Sequence, residues 1–179
     1  MHKLKNTNNS NNSTQLLNRT SEWNAKAFFR SLTEKNKLAK TKGFVYVEVS
    51  GLEGLEEALG RMQSTPNFVF VQDNAAGYTE LENSPHTRRV RTVFFAMRHK
   101  LGDMTAREQC MLTIKELYRQ FCSRLLLERT RLQENMQYLD SRIHLQEVSR
   151  YLVPGTAIFM FEIAVDTYID LSYNPDEWE

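Results

Sequence analysis

Residues 88–127 read RRVRTVFFAMRHKLGDMTAREQCMLTIKELYRQFCSRLLL, and they place a strand directly before the strongest helix of the chain. Residues 88–99 are rich in β-branched and aromatic residues, which favour strands. After them, Asp103 and Thr105 are alternative N-caps of the helix. Thr105 and Glu108 fit the capping box. A strand followed by a long amphipathic helix indicates helices packed on a sheet. The apolar stripe of this helix consists of Cys110, Ile114, Leu117, Tyr118, Phe121 and Leu125.

The length of this helix exceeds the expected size of the body. The strongest pattern covers residues 104–127, but no breaking residue occurs before Asn135, which corresponds to a length of about 45 Å. A body of this size is about 35–40 Å across. We therefore expect the helix either to break near residues 127–131 or to project past the sheet.

Four further segments are predicted to be strands. Residues 44–51 (FVYVEVSG) alternate clearly, and residues 67–72 (NFVFVQ) follow a turn. Residues 142–152 alternate imperfectly. Residues 156–171 form a long strand after a turn in which Gly155 supplies a positive φ.

The order of these elements predicts the fold class. A short amphipathic helix is predicted over residues 52–63, and an N-terminal helix over residues 20–40. The body then reads β-α-β-β-α-β-β, which predicts an α+β fold with a mostly antiparallel sheet and helices on one face. Residues 73–87 are predicted to form a long irregular hairpin loop, mobile in the monomer and ordered in an assembly.

Charge divides the chain into two parts. Residues 1–42 hold nine basic and two acidic residues, a formal charge of +7, whereas residues 43–179 hold fourteen and twenty, a formal charge of −6. We predict a basic N-terminal arm over 1–42, with disorder in the low-complexity stretch 5–14, and a single α+β domain over 43–179. The asymmetry indicates either contact between the arm and an acidic surface or a solvated tail.

The sequence contains no recognisable catalytic motif. The four histidines lie outside metal-binding spacings, and residues 51–60 (GLEGLEEALG) are neither a Walker A loop nor a dinucleotide fingerprint. Glu162, Asp166 and Asp170 recur every four residues, but they lie in a predicted strand. We therefore predict a protein that is not an enzyme and has no catalytic, cofactor or metal site. A small enzyme with an unrecognised site is the third alternative to the functions below.

The two cysteines and the hydropathy pattern bear on the compartment. Cys110 and Cys122 lie in one predicted helix, about 18 Å apart along its axis, so they cannot pair with each other. Residues 1–22 lack the apolar core of a signal peptide, and no apolar window is long enough to span a membrane. We expect reduced thiols in a cytosolic setting and no membrane partner.

Arg88, Arg89 and Arg91 open the strand 88–99. In strand geometry Arg89 and Arg91 share a face and Arg88 points to the other. The three arginines are interpreted as a protein interface, as a nucleic-acid patch or as solvated residues. The net acidic body and the absence of an RNA-recognition motif favour the first interpretation over the second. The predicted interface residues, with acids supplied by a neighbouring copy, are Arg88, Arg89, Arg91, Asp170, Tyr173, Asp176, Glu177 and Trp178.

The body of the chain resembles phage tail-terminator and tail-completion proteins, most closely the versions from phages and prophages of Bacteroidetes-type bacteria. The resemblance covers residues 44–178 and is one of pattern, because the family has no short diagnostic motif. The N-terminal arm has no counterpart in it. The stretches that carry the resemblance are FVFVQDN (68–74), RRVRTVFFAMRH (88–99), the helix 104–127 and GTAIFMFEIAVDTYIDLSYNPDEW (155–178).

The resemblance implies a non-enzymatic structural subunit. Such subunits close into a ring, commonly a hexamer, that terminates or completes the tail tube at the head–tail junction. The implied partners are further copies of the chain, the tail tube, and neck or connector proteins. The implied location is the tail or neck of the virion, after assembly in the bacterial cytoplasm. The alternative is a cytosolic nucleic-acid-binding module that uses the basic arm with Arg88, Arg89 and Arg91.

Overall fold

The computed structural model describes residues 22–148 and 153–178. The predictions for the beginning of the N-terminal arm, including disorder over 5–14, therefore lie outside the described residues. The last part of the predicted strand 142–152 also lies outside them.

Helices and strands follow each other in the predicted mixed order. The helices are α1 (Ala25–Lys35), α2 (Lys37–Thr41), α3 (Gly51–Arg61) and α4 (Met104–Glu134), with a short 3-10 helix at Pro175–Glu177. The strands are β1 (Phe44–Val49), β2 (Asn67–Gln72), β3 (Ala76–Glu80), β4 (His86–Arg98), β5 (Gln137–Leu139), β6 (His144–Glu147) and β7 (Thr156–Tyr168).

The predicted N-terminal helix is split in two at Asn36. This residue has an extended backbone, with ψ at 129°, and its side chain accepts a hydrogen bond from the amide of Ala39. Asn36 therefore ends α1 and caps α2. At the other end of α1, Asn24 caps the helix by accepting from the amide of Ala27.

The seven strands of the described residues form one sheet. Its order is β1-β2-β4-β7-β5, with β3 beside β4 and β6 beside β7. β1 and β2 run parallel because α3 connects them, and the other pairs are antiparallel. The α+β class with a mostly antiparallel sheet is confirmed.

Strand pairing is interrupted at two places, one beside β4 and one beside β7. Both interruptions lie at the same position along this central pair of strands. Between β2 and β3, residues 72–75 face only two residues of β4. Between β5 and β6, residues 140–143 face only two residues of β7. Extra residues of this kind bend and twist a sheet. They divide this sheet into one half next to β1 and another half that ends at β3 and β5.

The sheet buries a core on each of its faces. On one face, α1 and α4 pack against alternate strand residues, and the rings of Phe95, Phe121 and Phe161 meet there. On the other face, α3 packs against Phe68 and Phe70. The structure thus differs from the prediction of helices on one face only. The reason is that β2 is apolar on both sides, so each side requires cover.

α4 is one continuous helix of 31 residues. The break expected as one alternative near residues 127–131 does not occur, and buried positions continue to Leu132, in the same core as Leu139. Asp103 is the N-cap, since its side chain accepts from the amide of Ala106 at 2.8 Å. The capping box predicted for Thr105 is therefore not used.

The prediction of an irregular loop over residues 73–87 is wrong for its central part. β3 pairs with β4 in this segment, and the connecting loop is confined to residues 81–85. All five β3 residues are exposed, so the strand lacks the apolar alternation that reveals strands. A Cβ atom on Gly77 would lie 1.9 Å from the carbonyl oxygen of Arg88, which explains the glycine at this position.

The turn before the last strand agrees with its prediction. Gly155 has a φ of +71°, and the amide of Thr156 donates to the carbonyl of Val153. The predicted strand 156–171 is confirmed over Thr156–Tyr168. β5, at Gln137–Leu139, was not predicted, because three residues are too few for a recognisable period.

Candidate subunit interface

α3 covers only half of its face of the sheet. Among the described residues, no helix lies over the other half. α3 packs on the half next to β1, through Phe68 and Phe70. The open half is formed by β3, β4, β7 and β5. Strand register places four side chains in one row across it, in the order Tyr78, Arg88, Asp166 and Tyr138.

Arg88 links three strands at the centre of this row. Its Nη1 atom donates to both carboxylate oxygens of Asp166, at 3.1 and 3.0 Å. Its Nη2 atom donates to the carboxylate of Asp140, which lies just after β5. The backbone amide of Arg142 donates to the other oxygen of Asp140 at 2.9 Å. The three charged side chains are only 22–27% exposed, so the cluster ties β4 to β7 and to the residue that follows β5.

The hydrogen bonds stabilise the charged forms of this cluster. The bond to Asp140 raises the pKa of the Arg88 guanidinium. The pKa of Asp140 is lowered, first by the backbone amide of Arg142 and then by Arg88. One guanidinium therefore bridges two carboxylates, and the charge of Arg142 acts on Asp140 as a second nearby cation.

Aromatic side chains surround the ion cluster. The next row of the sheet contains His86 and Tyr168, which are register partners. The ring of Tyr78 meets the ring of His86 at 6.3 Å between centroids. A groove of about 450 Å³ runs between the 81–85 loop and β5, lined by Tyr138, Tyr168 and Met136 among others. Aromatic residues and methionine are enriched at protein interfaces. We call the exposed residues Tyr78, Leu81, Met136, Tyr138 and Tyr168 the aromatic end.

The C-terminal segment, residues 169–178, leaves the sheet at this same end. The amide of Ile169 donates to the carbonyl of Pro85 in the 81–85 loop. Further along, the rings of Tyr173 and Trp178 stack at 6.4 Å, and these side chains are 74% and 69% exposed. Asn174 fixes the turn between them by accepting from the amide of Asp176 at 3.1 Å. The segment therefore presents two exposed aromatic rings beside acidic residues.

The predicted faces of the arginines are confirmed, and each arginine has a partner within the chain. Arg89 donates to Glu22 at 3.0 Å, and both side chains are about half exposed. Arg91 donates to the backbone carbonyls of Gln72 and Asp73, at 3.0 and 2.7 Å. Arg91 therefore supports the interruption between β2 and β3. The pairing of Arg88, Arg89 and Arg91 with acids of a neighbouring copy stays a prediction.

The sequence prediction missed several residues of this surface. The sequence places Asp166 among the acids near the C-terminus but does not indicate its pairing with Arg88 of the same chain, and it gives no signal for Asp140. Tyr168 could have been found, because it lies two residues after Asp166 on the same strand and therefore on the same face. Tyr78 and Tyr138 lie on β3 and β5, which gave no strand signal.

Two further structural observations concern the class of site. No group of three or more metal-binding side chains occurs among residues 22–148 and 153–178. Within the same ranges, no helix is both long and apolar enough to cross a membrane.

Comparisons with known proteins give no assignment. The chain matches no protein-family model, and no curated protein matches its sequence.

Proposed function

We propose that this chain is a non-enzymatic structural subunit that assembles with copies of itself through the aromatic end and the C-terminal segment. One observation carries the proposal. Among the described residues, fifteen large apolar side chains are exposed, and eight of them belong to these two neighbouring regions. Concentrated apolar exposure of this kind marks interaction sites, whereas scattered exposure does not. Five of these eight residues form the aromatic end, and the other three, in the C-terminal segment, are Leu171, Tyr173 and Trp178.

The ion cluster makes this surface rigid and gives it polar character. Arg88 holds three strands together, so the tyrosines on those strands need little ordering when a partner binds. Tyr138 and Tyr168 supply large contact areas with few rotatable bonds, which suits the centre of an interface.

The resemblance to tail-terminator and tail-completion proteins supplies the specific setting. We propose a ring, with six copies as the expected number, at the end of a phage tail tube. The partners are then the tail tube and neck or connector proteins, and the location is the tail or neck of the virion. The α+β fold agrees with the small α+β subunit that the resemblance implies.

The arginine contacts weigh against the nucleic-acid alternative. Phosphate binding requires cations that are free to replace counterions. Arg88 is neutralised by two carboxylates, and Arg91 donates to backbone carbonyls. Arg89 is the one member of the three that is half exposed, and it already faces Glu22.

The solution mass of the full chain and of two double variants tests the proposal. Tyr138→Ser with Tyr168→Ser removes two rings from the aromatic end. Leu126→Ser with Leu127→Ser is the matched control, because these exposed residues lie on α4. We expect the tyrosine variant to dissociate at concentrations where the parent and the control assemble. Equal assembly of all three proteins, or equal loss in both variants, would contradict the proposed surface.

Electron microscopy and DNA titration separate the two functions. We expect ring-shaped particles, placed at tube ends when tail tubes are added. Tight DNA binding that weakens steeply with salt, by a chain that stays monomeric, would favour the nucleic-acid alternative.

A further inference from the structure

A basic groove lies between α1 and α4, on the sheet face opposite the aromatic end. Its volume is about 430 Å³, and its lining includes Lys35, Lys37 and Arg124 but no carboxylate. The buried side chains of Leu32 and Phe121 form the apolar part of the lining. The groove therefore offers cations around an apolar floor.

The cations of the groove have no counterion in the described part of the chain. None of Lys35, Lys37 and Arg124 has an ion-pair partner there, which is also true of other exposed cations such as Lys100 and Arg129, but these three lie together around one groove. Lys35 lies in the last turn of α1, where the helix dipole favours a cation. The dipoles of their own helices do not account for the cations at Lys37 and Arg124.

The groove is held in shape by a hydrogen bond from the junction of α1 and α2 to α4. The side chain of Asn36 donates to the side chain of Gln120 at 2.8 Å, and Gln120 in turn donates to Glu116. Because Asn36 also caps α2, the backbone between Lys35 and Lys37 is fixed. The backbone positions of these two residues are therefore set before any partner binds.

We infer that the groove binds the C-terminal segment of a second copy of this chain. The charges are complementary, since residues 169–178 contain three acids and no lysine or arginine. The exposed rings of Tyr173 and Trp178 can pack on the aliphatic and cationic side chains of Lys35, Lys37 and Arg124 that line the groove. This inference rests on the proposed self-assembly and identifies the surface that the C-terminal segment meets.

The geometry of such a contact limits the kinds of assembly. The segment and the groove are different surfaces of one chain, so the contact forms either head-to-tail or by reciprocal exchange between two copies. Head-to-tail contacts close into rings when the rotation between copies permits it, and otherwise extend into filaments. Added salt should weaken this contact, because exposed charges are screened over about 8 Å at physiological ionic strength.

Charge reversal on each side of the contact provides the test. The groove variant is Lys37→Glu with Arg124→Glu, which leaves Lys35 at the end of α1. The segment variant is Asp176→Lys with Glu177→Lys. The control is Lys100→Glu with Arg129→Glu, two exposed cations outside the groove, with the same change in net charge as the groove variant. Solution mass is measured over a range of concentrations, with circular dichroism to verify folding.

We expect each of the two interface variants to need about tenfold more protein to assemble than the parent and the control. A mixture of the groove and segment variants should assemble like the parent, because every contact then pairs opposite charges on different chains. A parent that assembles while the groove variant matches it overturns the inference and leaves self-assembly intact. Loss in the groove variant without loss in the segment variant also overturns it, since another occupant is then indicated. A parent that stays monomeric overturns both proposals.

Discussion

The guanidinium of Arg88 on β4 forms a forked contact with the carboxylate of Asp166, its register partner on β7, at 3.0 and 3.1 Å. Asp140 accepts from the other nitrogen of the same guanidinium. This contact joins the two longest strands in the half of the sheet that has no helix over it on this face. In this region, where tyrosines are exposed, polar contacts between strands take the place of a packed helix.

Replacing Arg88 with alanine should destabilise the fold. The substitution leaves Asp140 and Asp166, each about one-quarter exposed, without the Arg88 guanidinium, and we expect a loss of about 1–3 kcal/mol in the free energy of unfolding. Arg89→Ala is the matched control, since Arg89 lies next in the strand and its pair with Glu22 is exposed. Urea unfolding of both variants is the measurement. Equal losses would show that the Arg88 cluster contributes no more than a surface pair.

The Asp140 carboxylate should make stability depend on pH in the acid range. Its pKa is lower in the folded protein than in the unfolded chain, so its contribution is present above about pH 4 and is lost as pH falls through the folded value. Asp140→Asn removes that contribution. We therefore expect the difference in free energy of unfolding between the parent and Asp140→Asn to be largest at pH 7 and to shrink at pH 3. A difference that is the same at both pH values would contradict the assignment.

Gly77 should not tolerate a side chain. Because an added Cβ would meet the Arg88 carbonyl oxygen, Gly77→Ala must separate β3 from β4. We expect faster hydrogen exchange over residues 76–80 and a lower free energy of unfolding. Gly60→Ala is the control, since Gly60 lies in α3 with open space around it. That variant should be neutral or more stable by up to about 1 kcal/mol. Unchanged exchange in Gly77→Ala would place β3 away from β4.

Phe121 should be the most sensitive position of α4. Its ring contacts those of Phe29 and Phe95, and its side chain is buried. Phe121→Ala should cost about 3–5 kcal/mol of unfolding free energy, because it leaves a cavity in the main core. Leu126→Ala, at an exposed position of the same helix, should change the free energy of unfolding little. A loss below about 1 kcal/mol for Phe121→Ala would show that this face of α4 is misassigned.

The parts of the fold that could be predicted from sequence are those with a strong local period. α4 and the strands β1, β2, β4 and β7 combine apolar periodicity with length, and they lie where the pattern places them. β3 and β5 could not be predicted, since β3 is exposed throughout and β5 has three residues. Their places depend on pairing with β4 and β7.

Contacts between single residues of the candidate interface could also be predicted only in part from the sequence. Strand alternation correctly separated Arg88 from Arg89 and Arg91. The partners of Arg88 lie 52 and 78 residues away in the chain, and strand register brings them together. Register depends on turn geometry and on the interruptions of the sheet, which carry no apolar signal. The row from Tyr78 to Tyr138 could therefore be recognised only in the folded chain.

Native mass spectrometry of the full chain over a range of concentrations tests the central claim most directly. Self-assembly through the aromatic end and the C-terminal segment predicts one dominant mass at a fixed multiple of the 21.0 kDa chain, as expected for a closed ring. The same mass should disappear in the Tyr138→Ser, Tyr168→Ser variant. A parent that is monomeric at every concentration, including in the presence of tail tubes, would contradict the claim.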